Sequence, residues 1–164
     1  MNATHQAPNP SNALLAVKDL RVDFVSTDSR VEAVKGVSFQ LNKGETLALV
    51  GESGSGKSIT ALSILQLLPY AVKNETSGSI LFAGREMMGA SESEMESIRG
   101  DRISMIFQEP MTSLNPLQTI GHQIGEVLAL HKKIRGEKAR KRIIELLTLV
   151  RLPSPEDRLN AYPH

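Results

Sequence analysis

An α/β fold is the class this sequence predicts, and three observations predict it. Strand-like and helix-like segments alternate from Leu14 to Pro110, the apolar run "GETLALV" leads straight into a glycine-serine loop, and that loop opens onto the apolar stretch "KSITALSILQLL". A fully apolar run suits a strand buried on both faces of a mainly parallel sheet, and strand, helix, strand, short helix, strand is the order of an α/β domain.

The elements follow in order. "MNATHQAPNPSNA" is polar, carries two prolines and has neither a basic nor an apolar signal region, so residues 1–13 are expected to be a disordered lead-in. "LLAVKDLRVDF" and "VEAVKGVSFQL" alternate apolar and polar positions around the polar turn "STDSR", which predicts two antiparallel strands. "GETLALV" is the buried strand, and the helix after the loop is apolar nearly all round and ends before Pro69. "GSILFAG" reads as a further strand. In "SESEMESIRG", Ser91 and Glu94 form a capping box and Gly100 a stop, and "RISMIFQEP" returns to buried strand. The α/β core containing that loop is thus expected over 14–110. From 111 to 164 the pattern is helical only: Ile120, Ile124, Val127, Leu128 and His131 share one face, and Ala139, Ile143, Leu146, Leu147 and Val150 another.

Composition narrows the function classes. The chain has 164 residues, enough for one domain, with 19 basic and 18 acidic side chains and a net charge of +1, so no global field steers it to nucleic acid. No apolar run approaches the ~18 residues of a membrane span. With no cysteine, disulfides and thiolate metal sites are excluded, which suits a reducing compartment. The histidines lack ligand spacing, and Met87, Met88, Met95, Met105 and Met111 read as gap-fillers of the core. The basic run "HKKIRGEKARKR" has no interleaved aromatics and reads as a solvated helix face rather than a stacking platform.

The chemistry lies in the loop. Gly51, Gly56, Lys57 and Ser58 fit G-x-x-x-x-G-K-[ST], with Glu52, Ser53, Gly54 and Ser55 between them. Glycines let successive N–H groups converge on an anion, and a helix beginning there adds its unpaired N–H groups and positive dipole end. Lys57 supplies full charge to β and γ phosphates, and the Ser58 hydroxyl ligates Mg²⁺. A dinucleotide loop of the G-x-G-x-x-G kind does not call for the Lys-Ser pair. No N-K-x-D guanine-reading motif occurs in these residues.

Three stretches, "GETLALVGESGSGKSITALSILQLLP", "ISMIFQEPMTSLNPLQTIGHQI" and "RLNAYPH", make the chain resemble the nucleotide-binding subunits of ABC transporters, and among them the oligopeptide, dipeptide and microcin C uptake branch. The resemblance runs from Leu14 to His164. It implies a RecA-like P-loop core with an antiparallel β subdomain, followed by the start of an α-helical subdomain. It implies ATP and Mg²⁺ as cofactors, with Phe24 stacking on adenine, Gly51 to Ile59 holding nucleotide, and Gln108 approaching Mg²⁺ and the attacking water. The family places its catalytic carboxylate after a later strand, so Glu109 is not assigned that role.

The implied partners are a second ATP-binding domain, transmembrane permease subunits and, indirectly, a solute-binding protein, at the cytoplasmic face of the membrane, with no nucleic acid. The family's acidic second strand, signature sequence and switch histidine are not among these residues, so an incomplete domain that binds nucleotide without hydrolysing it, and is marginally stable, is expected. A regulatory non-hydrolysing module and a DNA-linked ABC-type ATPase are the alternatives.

Overall fold

The computed structural model describes residues 13–69, 73–107 and 113–164. They fall into two compact units, one up to Ser97 and one from Ile98 onward.

The first unit is built on a four-stranded antiparallel sheet in the order β2-β1-β3-β4, with β1 Ala13–Val25, β2 Arg30–Asn42, β3 Lys73–Phe82 and β4 Arg85–Glu86. The two alternating segments read from the sequence do pair antiparallel, from Ala13 opposite Asn42 to Val25 opposite Arg30. Ser26 closes the turn, its N–H donating to the Ser29 carbonyl at 2.8 Å. Ala83 and Gly84, at φ +50° and +81°, form the tight turn between Phe82 and Arg85, the left-handed pair that a two-residue hairpin requires.

One face of the sheet is the core: Val17, Leu20, Val22, Val34, Ile80 and Phe82 are buried on it, with Met87 and Met95 beside them. The apolar positions Val17, Leu20 and Val22 are not evenly spaced by two. An extra residue at Asp19, at φ +46°, resets the alternation. Gly36 and Gly78 lie beside it on the flanking strands at φ +82° and +105°, and a Cβ on Gly78 would meet the Asp19 carbonyl at 2.5 Å. The opposite face carries charge: Arg21 pairs with Asp19 at 3.1 Å and Glu32 at 3.5 Å, and Arg30 pairs with Asp23 and with Glu75 at 3.3 Å.

Helix α1, Lys57–Ile64, follows the phosphate loop, and α2, Glu92–Glu96, has the expected capping box, the Ser91 N–H and hydroxyl both donating to Glu94 Oε2 at 2.8 and 2.9 Å. Three expectations need correction. Residues 45–50 belong to no helix and join no described strand, and Leu47, Leu49 and Val50 are exposed, Val50 by 93%. Likewise "RISMIF" makes only an isolated bridge between Arg99 and Ile103, with Ile106 94% exposed. A strand exists only through its neighbours' backbone groups, and among the described residues neither run forms a ladder with another strand. The helix "KSITALSILQLL" ends at Ile64 rather than running to Pro69, because Gln66 turns left-handed at φ +50°.

In the second unit, α3 Ile120–His131 and α4 Gly136–Leu149 are followed by the short α5 Pro155–Arg158. Leu128, Ala139, Ile143, Leu147 and Leu159 form the core, with Ile120, Ile124, Ile134 and Ile144 packed against it. Gly121 leaves room for the Leu159 carbonyl, which accepts its N–H at 2.9 Å and would stand 2.7 Å from a Cβ there. The Gln123 side chain staples the preceding loop, donating to the carbonyls of Asn115 and Gln118 and accepting the Asn115 N–H, all within 3.0 Å. Val127 and Val150, expected on the buried faces, are 53% and 73% exposed. Val127 lies at the margin of the α3 stripe, and Val150 is the C-cap, where the helical period has already ended.

Candidate phosphate-binding site

The loop from Gly51 to Gly56 follows residues 45–50, turns at Ser53 and Gly54, and delivers the chain to α1. Gly54 sits at φ +80° with open space around it, and Gly56 at φ +86° is the N-cap of α1. Gly56 has a second reason to be glycine. Its α-carbon lies directly against the Ala33 carbonyl of β2, with Val34 Cγ2 3.3 Å from where a Cβ would stand. Ala33 is the residue left over in the β1–β2 register, since Val22 faces Val34 and Asp23 faces Glu32. This bulge turns a strand carbonyl toward the helix start.

Lys57 folds its side chain back over the loop. Its ammonium donates to the Gly51 carbonyl at 2.9 Å, the Glu52 carbonyl at 2.7 Å and Ser55 Oγ at 3.2 Å. Three N–H donors thus meet three acceptors, and the positive charge stands at the mouth of the loop. The N–H groups of Lys57, Ser58 and Ile59 open α1 and have no acceptor within the helix. Ser58 is exposed beside them, and Ile59 is half-buried. The arrangement concentrates backbone donors, a helix dipole and one cation on a single point, which is what a polyphosphate chain needs.

Two buried polar residues of α1, unmarked by the loop motif, bond back onto the preceding turn of the same helix. Thr60 and Ser63, each 3% exposed, donate their hydroxyls to the carbonyls of Gly56 and Ile59 at 2.9 and 2.7 Å. Hydroxyl residues inside an otherwise apolar helix are the signal that could have flagged them. Nothing in the sequence signals the bulge at Ala33.

Phe24 lies two residues beyond Val22 on β1, opposite Val31 on β2 and Asn74 on β3, and is half-buried. It therefore shares the sheet face against which Gly56 and α1 pack. Gln108, Glu109 and Met111 lie outside the described residues, as do residues 1–12. Among the described residues no group of three His, Asp or Glu side chains could hold a metal ion. A Mg²⁺ carried in on phosphates fits the donors present, since it needs few protein ligands and the Ser58 hydroxyl is accessible next to Lys57.

Known proteins resemble this chain in sequence and in fold. The family described as "ABC transporter" matches residues 34–163. The chain is 53% identical over 151 residues to the oligopeptide transport ATP-binding protein OppD of Bacillus subtilis (strain 168), covering 92% of this chain and 42% of that protein. It is 51% identical over 151 residues to the dipeptide transport ATP-binding protein DppD of the same organism, covering 92% and 45%. It therefore spans less than half the length of these curated relatives. In fold it resembles the dimeric structure of a post-hydrolysis state of the ATP-binding cassette MJ0796 bound to ADP and Pi, with a TM-score of 0.77 and 25% identity over 91% of this chain and 61% of that one. The chain belongs to the ABC transporter family.

Proposed function

We propose that Gly51 to Ile59 bind ATP with Mg²⁺, and that the protein containing this cassette is the ATP-binding subunit of an importer for peptides or peptide-like solutes. The observation that carries the nucleotide reading is the Lys57 ammonium, held by the carbonyls of Gly51 and Glu52 at the mouth of a loop whose helix starts with free N–H groups. A phosphate oxygen entering the loop would accept from the α1 N–H groups and draw the ammonium away from one of its three present acceptors. Mg²⁺, when bound, neutralises charge on the β and γ phosphates, and Ser58 is the residue that would hold it, with Gln108 assigned to the same ion and to the attacking water. Phe24, on the sheet face that carries α1, is the adenine platform.

The peptide reading rests on the names and similarity of the relatives, OppD and DppD. It brings with it a second ATP-binding domain, transmembrane permease subunits and a solute-binding protein as partners, and a position at the cytoplasmic face of the membrane. No described helix is long and apolar enough to cross a membrane. Binding, not turnover, is assigned to the 164-residue chain, since hydrolysis at such a loop calls for an acidic partner on a second strand.

Calorimetric titration with ATP in the presence and absence of Mg²⁺ tests the site. Saturable binding that Lys57→Ala weakens by about a hundredfold is expected, the scale of losing charge-assisted bonds to phosphate. Equal affinity in the two proteins would remove the site from the loop. For the transport reading, labelled tripeptide uptake by cells carrying Lys57→Ala in the gene should fall to the level of a deletion.

A further inference from the structure

We infer that Gln66 is a positioning residue for the phosphate loop: its side-chain amide ties the C-terminal end of α1 to the turn after β4 and so fixes the helix that presents Lys57 and Ser58. The inference rests on the nucleotide reading above for its consequence, and on geometry for its substance.

α1 ends in a left-handed cap. The Gln66 N–H donates to the Ser63 carbonyl at 3.1 Å and the Leu67 N–H to the Leu62 carbonyl at 2.9 Å, with Gln66 itself at φ +50°. That is a position where glycine is the usual occupant, because a side chain is strained there. A glutamine held in that conformation needs a reason, and its side chain supplies one: Gln66 Nε2 donates to the Met87 carbonyl, 21 residues away. Met87 is a fixed point. Its side chain is 1% exposed, and its own N–H donates to the Ile80 carbonyl at 2.8 Å and to Glu86 Oε1 at 3.0 Å.

Packing does not do the same work there. Leu65 and Leu68 are buried behind the cap, but a cavity of about 250 Å³ lies beside it, lined by Gln66, Ser63, Leu68, Asn74, Thr76 and Met88 among others. The amide bridges toward the sheet across a place where side chains leave space. At its other end α1 is seated by Gly56 against Ala33. A helix of 8 residues is only about 12 Å long, so freeing one end lets the other tilt.

The test uses the 164-residue chain as wild type, Gln66→Glu, which keeps the shape but presents no donor at neutral pH, and Gln66→Gly, which also relieves the backbone. Amide hydrogen exchange is followed without nucleotide at Thr60–Leu62 and at Leu65–Leu67, and methylanthraniloyl-ATP with Mg²⁺ is titrated into each. Both variants should exchange about fivefold faster at Thr60–Leu62 and bind about fivefold more weakly, the scale of one net hydrogen bond. Gln66→Lys, whose ammonium can donate to the Met87 carbonyl, should restore both. Faster exchange confined to Leu65–Leu67, or wild-type affinity in both variants, would overturn the inference. Absence of binding by the wild type would count against the nucleotide reading, while exchange at Thr60–Leu62 would still decide the clamp.

Discussion

The Ala33 carbonyl on β2 lies against the α-carbon of Gly56, so a strand irregularity and the start of the phosphate-loop helix are one steric unit. A methyl group at residue 56 would collide with a backbone atom that cannot swing aside, in a conformation at φ +86° that already disfavours it. Gly56→Ala should destabilise the first unit by roughly 2–3 kcal/mol and abolish ATP binding. Urea denaturation with a parallel ATP titration checks both. Gly54→Ala, with open space around it, should cost only about 1 kcal/mol.

Acid should reveal Glu86. Burial alone would raise its pKa, but hydrogen bonds from the Ser79 hydroxyl and from the N–H groups of Met88, Ile80 and Met87 outweigh burial and hold the carboxyl below its ordinary 4.5. A depressed native pKa contributes stability that is complete above the unfolded value and is lost as pH falls through the native one. Glu86→Gln should therefore be less stable than wild type at pH 7, and the difference should shrink below about pH 4.5. Urea midpoints at pH 7, 5 and 4 measure it, and a gap that widened with acid would contradict it.

Ile143 on α4 and Val150 at its C-cap separate a pattern from a packing fact. Ile143, 4% exposed, sits in the second unit's core, and Val150, 73% exposed, does not. Ile143→Ala should cost about 2–4 kcal/mol and Val150→Ala less than about 0.5 kcal/mol. Thermal unfolding of the two variants is the check.

The capping box of α2 offers a fourth measurement. Ser91→Ala removes the hydroxyl that donates to Glu94 and leaves the N–H bond in place. The expected loss is about 1 kcal/mol, and it should be smaller than that of Glu94→Ala, which removes both.

What could be read from the sequence was local. Gly51, Gly56, Lys57 and Ser58 declare themselves by spacing alone, because the chemistry of the loop is made by consecutive residues. β1 and β2 were legible from alternation, and α2 from Ser91 and Glu94. The misreadings concern partners distant in sequence. Leu47 to Val50 look like a buried strand, but pairing depends on other segments lying alongside. Gln66 is no turn signal, so nothing in the sequence before Pro69 marks the end of α1 at Ile64. Ala33 becomes special only because Val22 and Asp23 skip it in register. Gln108 and the adenine role of Phe24 came from family resemblance, since neither residue type carries a distinctive signal by itself.

The irregular row formed by Asp19, Gly36 and Gly78 has a bearing on how such a chain can change length. Val17 and Val22 lie at odd and even numbers yet face the same core, only because one surplus residue between them restores the parity. A codon gained at this point of β1 would invert half of the strand, sending Leu20 and Val22 to solvent and Arg21 and Asp23 inward, whereas loss of the surplus residue would leave Val17, Leu20 and Val22 in plain alternation on the core face. Insertions here should accordingly be rare unless accompanied by a matching change in a neighbouring strand, whereas the Ser26–Ser29 turn, with no inward face to preserve, should absorb them freely.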